Sequence, residues 1–203
     1  MEDPKQLMEE GRFEELAQED HPLWRGLALL ELKRWPQAAR AFEDAPDAGQ
    51  SGTMLELSGA AHWLAGERDL ALERWTAALD AAYEGPASPL KAPALLVYAG
   101  TRMSDERFVL RGTRLLRKGW RPKIQRIWPG PVAGYLLGEV EEKTFLEEGY
   151  SSPDLEARRF AAAHFWVALR RPEEARQHYQ AAVEAEGASV LEVEHHLAHG
   201  ELG

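Results

Sequence analysis

Three histidines near the end of the chain, His195, His196 and His199, have the spacing best suited to metal chemistry. On a helix, His195 and His199 fall on one face, with Glu192 one turn earlier. Two imidazoles and a carboxylate make a zinc donor set. Glu194 is close enough in sequence to act as a base or to orient a ligand. Two features oppose this reading. The cluster lies four residues from the end of the sequence, where helices fray, and no H-E-x-x-H motif accompanies it. The expectation is no metal.

Other catalytic constellations are absent from the sequence. It contains no cysteine, which excludes disulfides, thiolate zinc sites and cysteine nucleophiles and fits a reducing compartment. There is no G-x-S-x-G motif, no S-x-x-K site in a strand-turn context and no phosphate-cradling glycine loop. Paired carboxylates recur at Glu9-Glu10, Glu14-Glu15, Glu141-Glu142 and Glu173-Glu174. They read as solvated helix faces and first-turn charges rather than acid-base pairs. The chain is therefore expected to be no enzyme, with no catalytic residues and no cofactor. The N-terminal MEDPKQLMEEGRFEEL lacks the basic and apolar parts of a secretory signal. The longest apolar stretches, such as Ala92 to Ala99, are too short to span a bilayer. A cytoplasmic location and no membrane partner are the expectations.

Charge supplies the next candidate. The net charge is -10, yet the segment from Arg102 to Arg126 carries nine basic residues against Asp105 and Glu106, or 9 − 2 = +7. The remainder then carries -10 − 7 = -17. Such a field steers charged partners. Within DERFVLRGTRLLRKG, Phe108, Val109, Gly112, Leu115 and Leu116 form one stripe at helical spacing. Arg107, Arg111, Arg114 and Lys118 form a second, which is expected to face water as a solvated face or as a partner-binding surface.

The elements that must position these residues are helices. Ala, Leu, Glu and Arg dominate, and no Asn-Gly or Asp-Gly hairpin signal appears. About eleven or twelve helices in antiparallel pairs, with no sheet, are expected. The segment HPLWRGLALLELKRWPQAARAFEDAP, from His21, aligns with LELSGAAHWLAGERDLALERWTAALD, from Leu55. Gly26 meets Gly59, Ala38 meets Ala71, Phe42 meets Trp75 and Ala45 meets Ala78, each at an offset of 33 residues. A glycine on one helix and an alanine on the next leave room at a crossing, and an aromatic fills the gap a turn later. Gly66 precedes the second helix of its unit as a left-handed turn residue, and Lys33 holds the equivalent place in the first.

Downstream, Gly100, Gly112, Leu116 and Gly119 can take the same four places after the helix SPLKAPALLVYAG. In an alternative register, Gly112 and Gly119 mirror Gly59 and Gly66; the first is preferred. Two short helices, VAGYLLGEV after Pro129-Gly130-Pro131 and EEKTFLEEGY, follow. A last unit begins at Ser152-Pro153, with Glu156 placed for a capping box, and carries Ala163, Ala175, Tyr179 and Ala182.

This order of small and aromatic residues resembles the tetratricopeptide repeat, a helix-turn-helix unit of ~34 residues. The resemblance implies an all-α fold: antiparallel helix hairpins forming a short tetratricopeptide-like α-solenoid. It implies one domain over 1–203, with clear repeats near 21–46, 53–80 and 153–185, degenerate helix pairs over 89–150 and a capping helix over 189–201. The C-terminal part resembles small bacterial tetratricopeptide adaptor lipoproteins of the NlpI kind, although no lipidation cysteine is present and no outer-membrane role is implied.

In that family, the first helices of successive repeats line a concave groove that takes a segment of a partner protein. By family pattern the groove positions are Leu27 and Glu31, Glu56 and Trp63, Thr101 and Asp105, and His164 and Val167. Most of the seven tryptophans are expected in the core, with Trp63 and Trp166 the candidates for the surface. The function expected is a non-catalytic protein-protein interaction module: an adaptor, a chaperone, or an immunity protein that neutralises a cognate toxin. Its contact is the groove or the basic stripe, with the groove preferred. Nucleic-acid binding through residues 102–126 is the alternative, and a metal-dependent hydrolase a more distant one. Oligomeric state is not specified by the sequence.

Overall fold

A computed structural model describes residues 3–83, 85–147, 153–185 and 188–203, with backbone only for 153–156. The described residues form thirteen α-helices, three short 3-10 turns and no strand beyond one isolated bridge, Ser51 to Ala82. The all-α expectation is met, with slightly more helices than the sequence suggested. The chain divides into two compact units, Met1–Ala82 and Tyr83–Gly203.

The first unit holds α1 (Pro4–Glu9), α2 (Phe13–Leu16), α3 (Pro22–Glu31), α4 (Trp35–Glu43), α5 (Gly52–Leu64) and α6 (Arg68–Ala77). Consecutive helices pack on one another from α3 to α6. Proline in the first turn starts α1, α3 and α4, where the missing N–H costs nothing. Gly66 ends the α5 hairpin helix with φ +82°. Lys33, 33 residues earlier, takes the same left-handed conformation with φ +55°, which disfavours a side chain. The crossings follow the repeat pattern. A Cβ on Gly26 would lie 2.3 Å from the Phe42 ring, and one on Gly59 would lie 2.4 Å from the Trp75 indole. Phe42, Trp75, Ala38 and Ala71 are fully buried.

The second unit holds α7 (Lys91–Met103), α8 (Glu106–Gly119), α9 (Gly130–Leu137), α10 (Glu142–Glu147), α11 (Pro153–Arg170), α12 (Ala175–Glu184) and α13 (Val193–Leu202). The strongest pairings are α7 with α8, α11 with α12, and α12 with α13. Gly112 lies on the second helix of its pair, as the preferred register requires. The contacts there differ from those in the first unit. Gly100 lies nearest Val109 and the Asp105 backbone, not the residue sixteen positions on, and Gly112 abuts the Pro93 carbonyl and Val97. Backbone-to-backbone approach replaces the small-to-aromatic contact. Ala163 and Tyr179 are both buried on α11 and α12. Helix α9 ends at Gly138, whose φ of +77° stops it before the Val140 end that the sequence suggested. The closing helix starts at Val193 rather than near 189. Ser152 and the end of EEKTFLEEGY lie outside the described residues, as does the Glu156 side chain.

Candidate functional site

The groove positions divide between the two units. In the first, Leu27, Glu56 and Trp63 are 1, 6 and 4% exposed, and Glu31 is half-buried at the end of α3. Helix α5 is buried on nearly every face, so its polar residues do not mark a solvent side. The Trp63 ring packs 5.5 Å from that of Trp75, and the Arg68 guanidinium covers it at 3.7 Å. In the second unit Val167 is fully buried and His164 half-buried. Thr101 is exposed, and its hydroxyl donates to the Val97 carbonyl at 2.8 Å. The expectation that Trp63 and Trp166 are surface tryptophans is corrected. Trp166 is fully buried, and its indole N–H donates to Glu194 at 2.9 Å.

The histidine cluster is also differently arranged. Glu192 accepts from Lys91 at 3.5 Å and Arg158 at 3.3 Å, so its carboxylate is engaged away from the spacing-based zinc set. Glu194 is fully buried and bonded to Lys91 through both oxygens at 2.9 Å, which removes it as a base. His195 packs edge-to-face on His199, with centroids 4.7 Å apart, and His196 Nε2 lies 2.7 Å from the Val190 carbonyl.

The basic stripe is brought together on one exposed face. Asp105 caps α8 by accepting from the Arg107 N–H at 3.0 Å, and Glu106 adds negative charge at the positive end of the helix. Gly112 and Leu116 are buried, Phe108, Val109 and Leu115 half-buried, and Arg107, Arg111, Arg114 and Lys118 exposed. Arg107 is ion-paired with Asp105 at 2.6 Å. Among the described residues, no acidic side chain lies within ion-pair distance of Arg111, Arg114 or Lys118. Leu110, 58% exposed, interrupts the cationic face, and Arg117, also exposed, lies beside it. Periodicity identified the stripe but not the apolar side chain within it.

A second histidine pair had no sequence signal. His164 Nδ1 lies 2.8 Å from His178 Nδ1, with the rings stacked. One nitrogen must donate and the other accept, so both cannot hold a proton there. Burial first, then repulsion from His178, pulls His164 down to about 4, against the opposing pull of Glu142. The unfolded chain therefore binds more protons between about pH 6.5 and 4, and stability falls as the pH drops through that window. Solvent screening of a half-exposed ring reduces the effect to about 1–2 kcal/mol. Urea midpoints at pH 7 and pH 4.5 are expected to differ less in His164→Asn than in the wild type. An unchanged difference would place the acid sensitivity elsewhere.

Among the described residues, no helix is long and apolar enough to cross a membrane. No protein-family model, curated protein or solved structure matches the chain.

Proposed function

We propose that this chain is a non-catalytic protein-binding module that docks an acidic partner surface through the exposed face of α8. The observation that carries this reading is the set of solvent-facing cations Arg111, Arg114 and Lys118, which have no ion-pair partner among the described residues of a chain of net charge -10. A solvated helix face is usually laced with both signs. Here one sign is gathered around an exposed leucine, an arrangement that suits a polar rim about an apolar anchor. The repeated Gly26–Phe42 and Gly59–Trp75 contacts support a tetratricopeptide-like arrangement. Adaptor, chaperone and immunity roles in the cytoplasm all fall within this reading. The burial of Glu56 and Trp63 favours α8 over the groove as the point of contact.

The Arg111→Glu, Arg114→Glu double variant tests it. Both side chains are exposed, so stability is expected to change by less than about 0.5 kcal/mol per site. Association with a labelled polyglutamate peptide at low salt is expected to slow by about tenfold or more. Equal binding by the variant and the wild type would reject α8. Tighter binding to a mixed-sequence RNA than to the peptide, with a steep salt slope, would transfer the surface to nucleic acid.

A further inference from the structure

The first unit contains a cavity of about 210 Å³ between α4, α5 and α6 that the α8 reading leaves unused. Phe42, Met54 and Leu55 form its apolar wall, and Glu43, Ser58 and Arg74 its polar one. The polar wall is fixed by its own bonds. Glu43 Oε1 takes the Ser58 hydroxyl at 3.0 Å, His62 Nε2 at 3.0 Å and Arg74 Nε at 2.8 Å. His62 is held from its other side by Glu67, at 2.6 Å from Nδ1. Burial pushes the Glu43 carboxyl up, but the three donors together hold it below the usual range, so it is ionised at neutral pH.

All three donors converge on one oxygen. Among the described residues, Glu43 Oε2 has no partner, and neither does Arg74 Nη2; Arg74 Nη1 reaches only Glu73, at 3.4 Å. The cavity walls thus carry one preorganised anionic acceptor and one cationic donor, adjacent and already neutralising each other, beside apolar surface. A ligand of a single charge would leave one of these groups opposed. A ligand bearing both charges on neighbouring atoms satisfies both and adds no net charge.

We propose that this cavity binds a free α-amino acid with an apolar side chain. Its carboxylate would meet Arg74, its ammonium Glu43, and its side chain Phe42, Met54 and Leu55. The volume lies below the ~300–1,000 Å³ of pockets that take drug-sized ligands, which suits a single amino acid. Charge-assisted pairing of carboxylate with guanidinium supplies orientation as well as affinity.

Calorimetric titration of the full chain with leucine, methionine and phenylalanine tests the proposal, with leucinamide and N-acetyl-leucine as controls that each remove one ligand charge. The expected result is saturable binding of at least one free amino acid at about 1 mM or tighter. Each blocked analogue is expected to bind at least about tenfold more weakly, a loss of ~1.4 kcal/mol. Because the ligand is varied, this comparison does not depend on whether a variant folds. Met54→Trp, at a half-buried position that takes no part in the Glu43 bonds, is expected to fill the cavity and abolish binding with the fold intact by circular dichroism. No saturable heat from any of the three amino acids up to about 10 mM would overturn the proposal. So would equal binding of leucine and its blocked analogues, or undiminished binding by folded Met54→Trp.

Discussion

Lys91→Met is expected to destabilise the second unit by about 3–5 kcal/mol, a large share of the ~5–15 kcal/mol available to a typical domain. Lys91 is the first residue of α7, and its Nζ lies 2.9 Å from both oxygens of Glu194, whose side chain is wholly inaccessible to solvent. The Trp166 indole N–H supplies a further bond to the same carboxylate, and Glu192, itself held by Arg158, lies 3.5 Å from the ammonium. Taking two charges out of water is costly, and their attraction offsets that cost only while both are present. Methionine matches the lysine stem in size but leaves a buried carboxylate with a single neutral donor. The penalty then falls on the residue that was not changed. Adding Glu194→Gln to Lys91→Met removes the stranded charge while keeping an acceptor for Trp166, and is expected to recover much of the loss. Urea unfolding of the wild type, the single variant and the double variant decides the matter. A Lys91→Met protein within about 1 kcal/mol of the wild type, or no recovery on adding Glu194→Gln, would show that a stranded Glu194 charge is not what destabilises the variant.

None of that pair was legible in the sequence. Lys91 and Glu194 are 103 residues apart, and Glu194 stood beside three histidines that offered it a different role. The Glu43 cluster was hidden for the same reason, with partners 15, 19 and 31 positions away. What the sequence does carry is periodicity. The 33-residue offset located two helix hairpins and their equivalent turn positions, Lys33 and Gly66, because helix crossings constrain residue size locally. The 3.6-residue period likewise separated the apolar stripe of α8 from its exposed cationic one. On α5 the polar residues do not mark a wet face. Ser58 and His62 are buried because Glu43 of the preceding helix satisfies them. Once α5 is enclosed in this way, Trp63 and Glu56 are enclosed with it, and the two groove positions that the repeat pattern places on α5 become interior ones.

The second large effect concerns the crossing of α5 and α6, where Gly59→Leu is expected to cost about 3 kcal/mol or more. A bare Cβ at Gly59 would sit 2.4 Å from Trp75 Nε1 and 2.5 Å from Cδ1, well inside van der Waals contact. The indole has little freedom to retreat. It is fully buried, its N–H donates to the Glu56 carbonyl at 3.1 Å, and the Trp63 ring lies 5.5 Å away. Leucine would have to push the helices apart or break that hydrogen bond. The sharper test is Gly59→Ala. At an open helical site, alanine for glycine stabilises by about 1 kcal/mol through backbone entropy. Here the methyl would meet the indole, so the sign is expected to reverse and the variant to be less stable than the wild type. Gly26→Ala should behave alike, since its Cβ would lie 2.3 Å from the Phe42 ring at the equivalent crossing. Gly49→Ala is the control: nothing lies within 4 Å of a Cβ there, and a shift below about 0.5 kcal/mol is expected. Chemical denaturation of the three alanine variants measures all of this. If Gly59→Ala and Gly26→Ala are as stable as the wild type or more so, small residues are not what allow these hairpins to close, and the tetratricopeptide-like reading loses its main physical support.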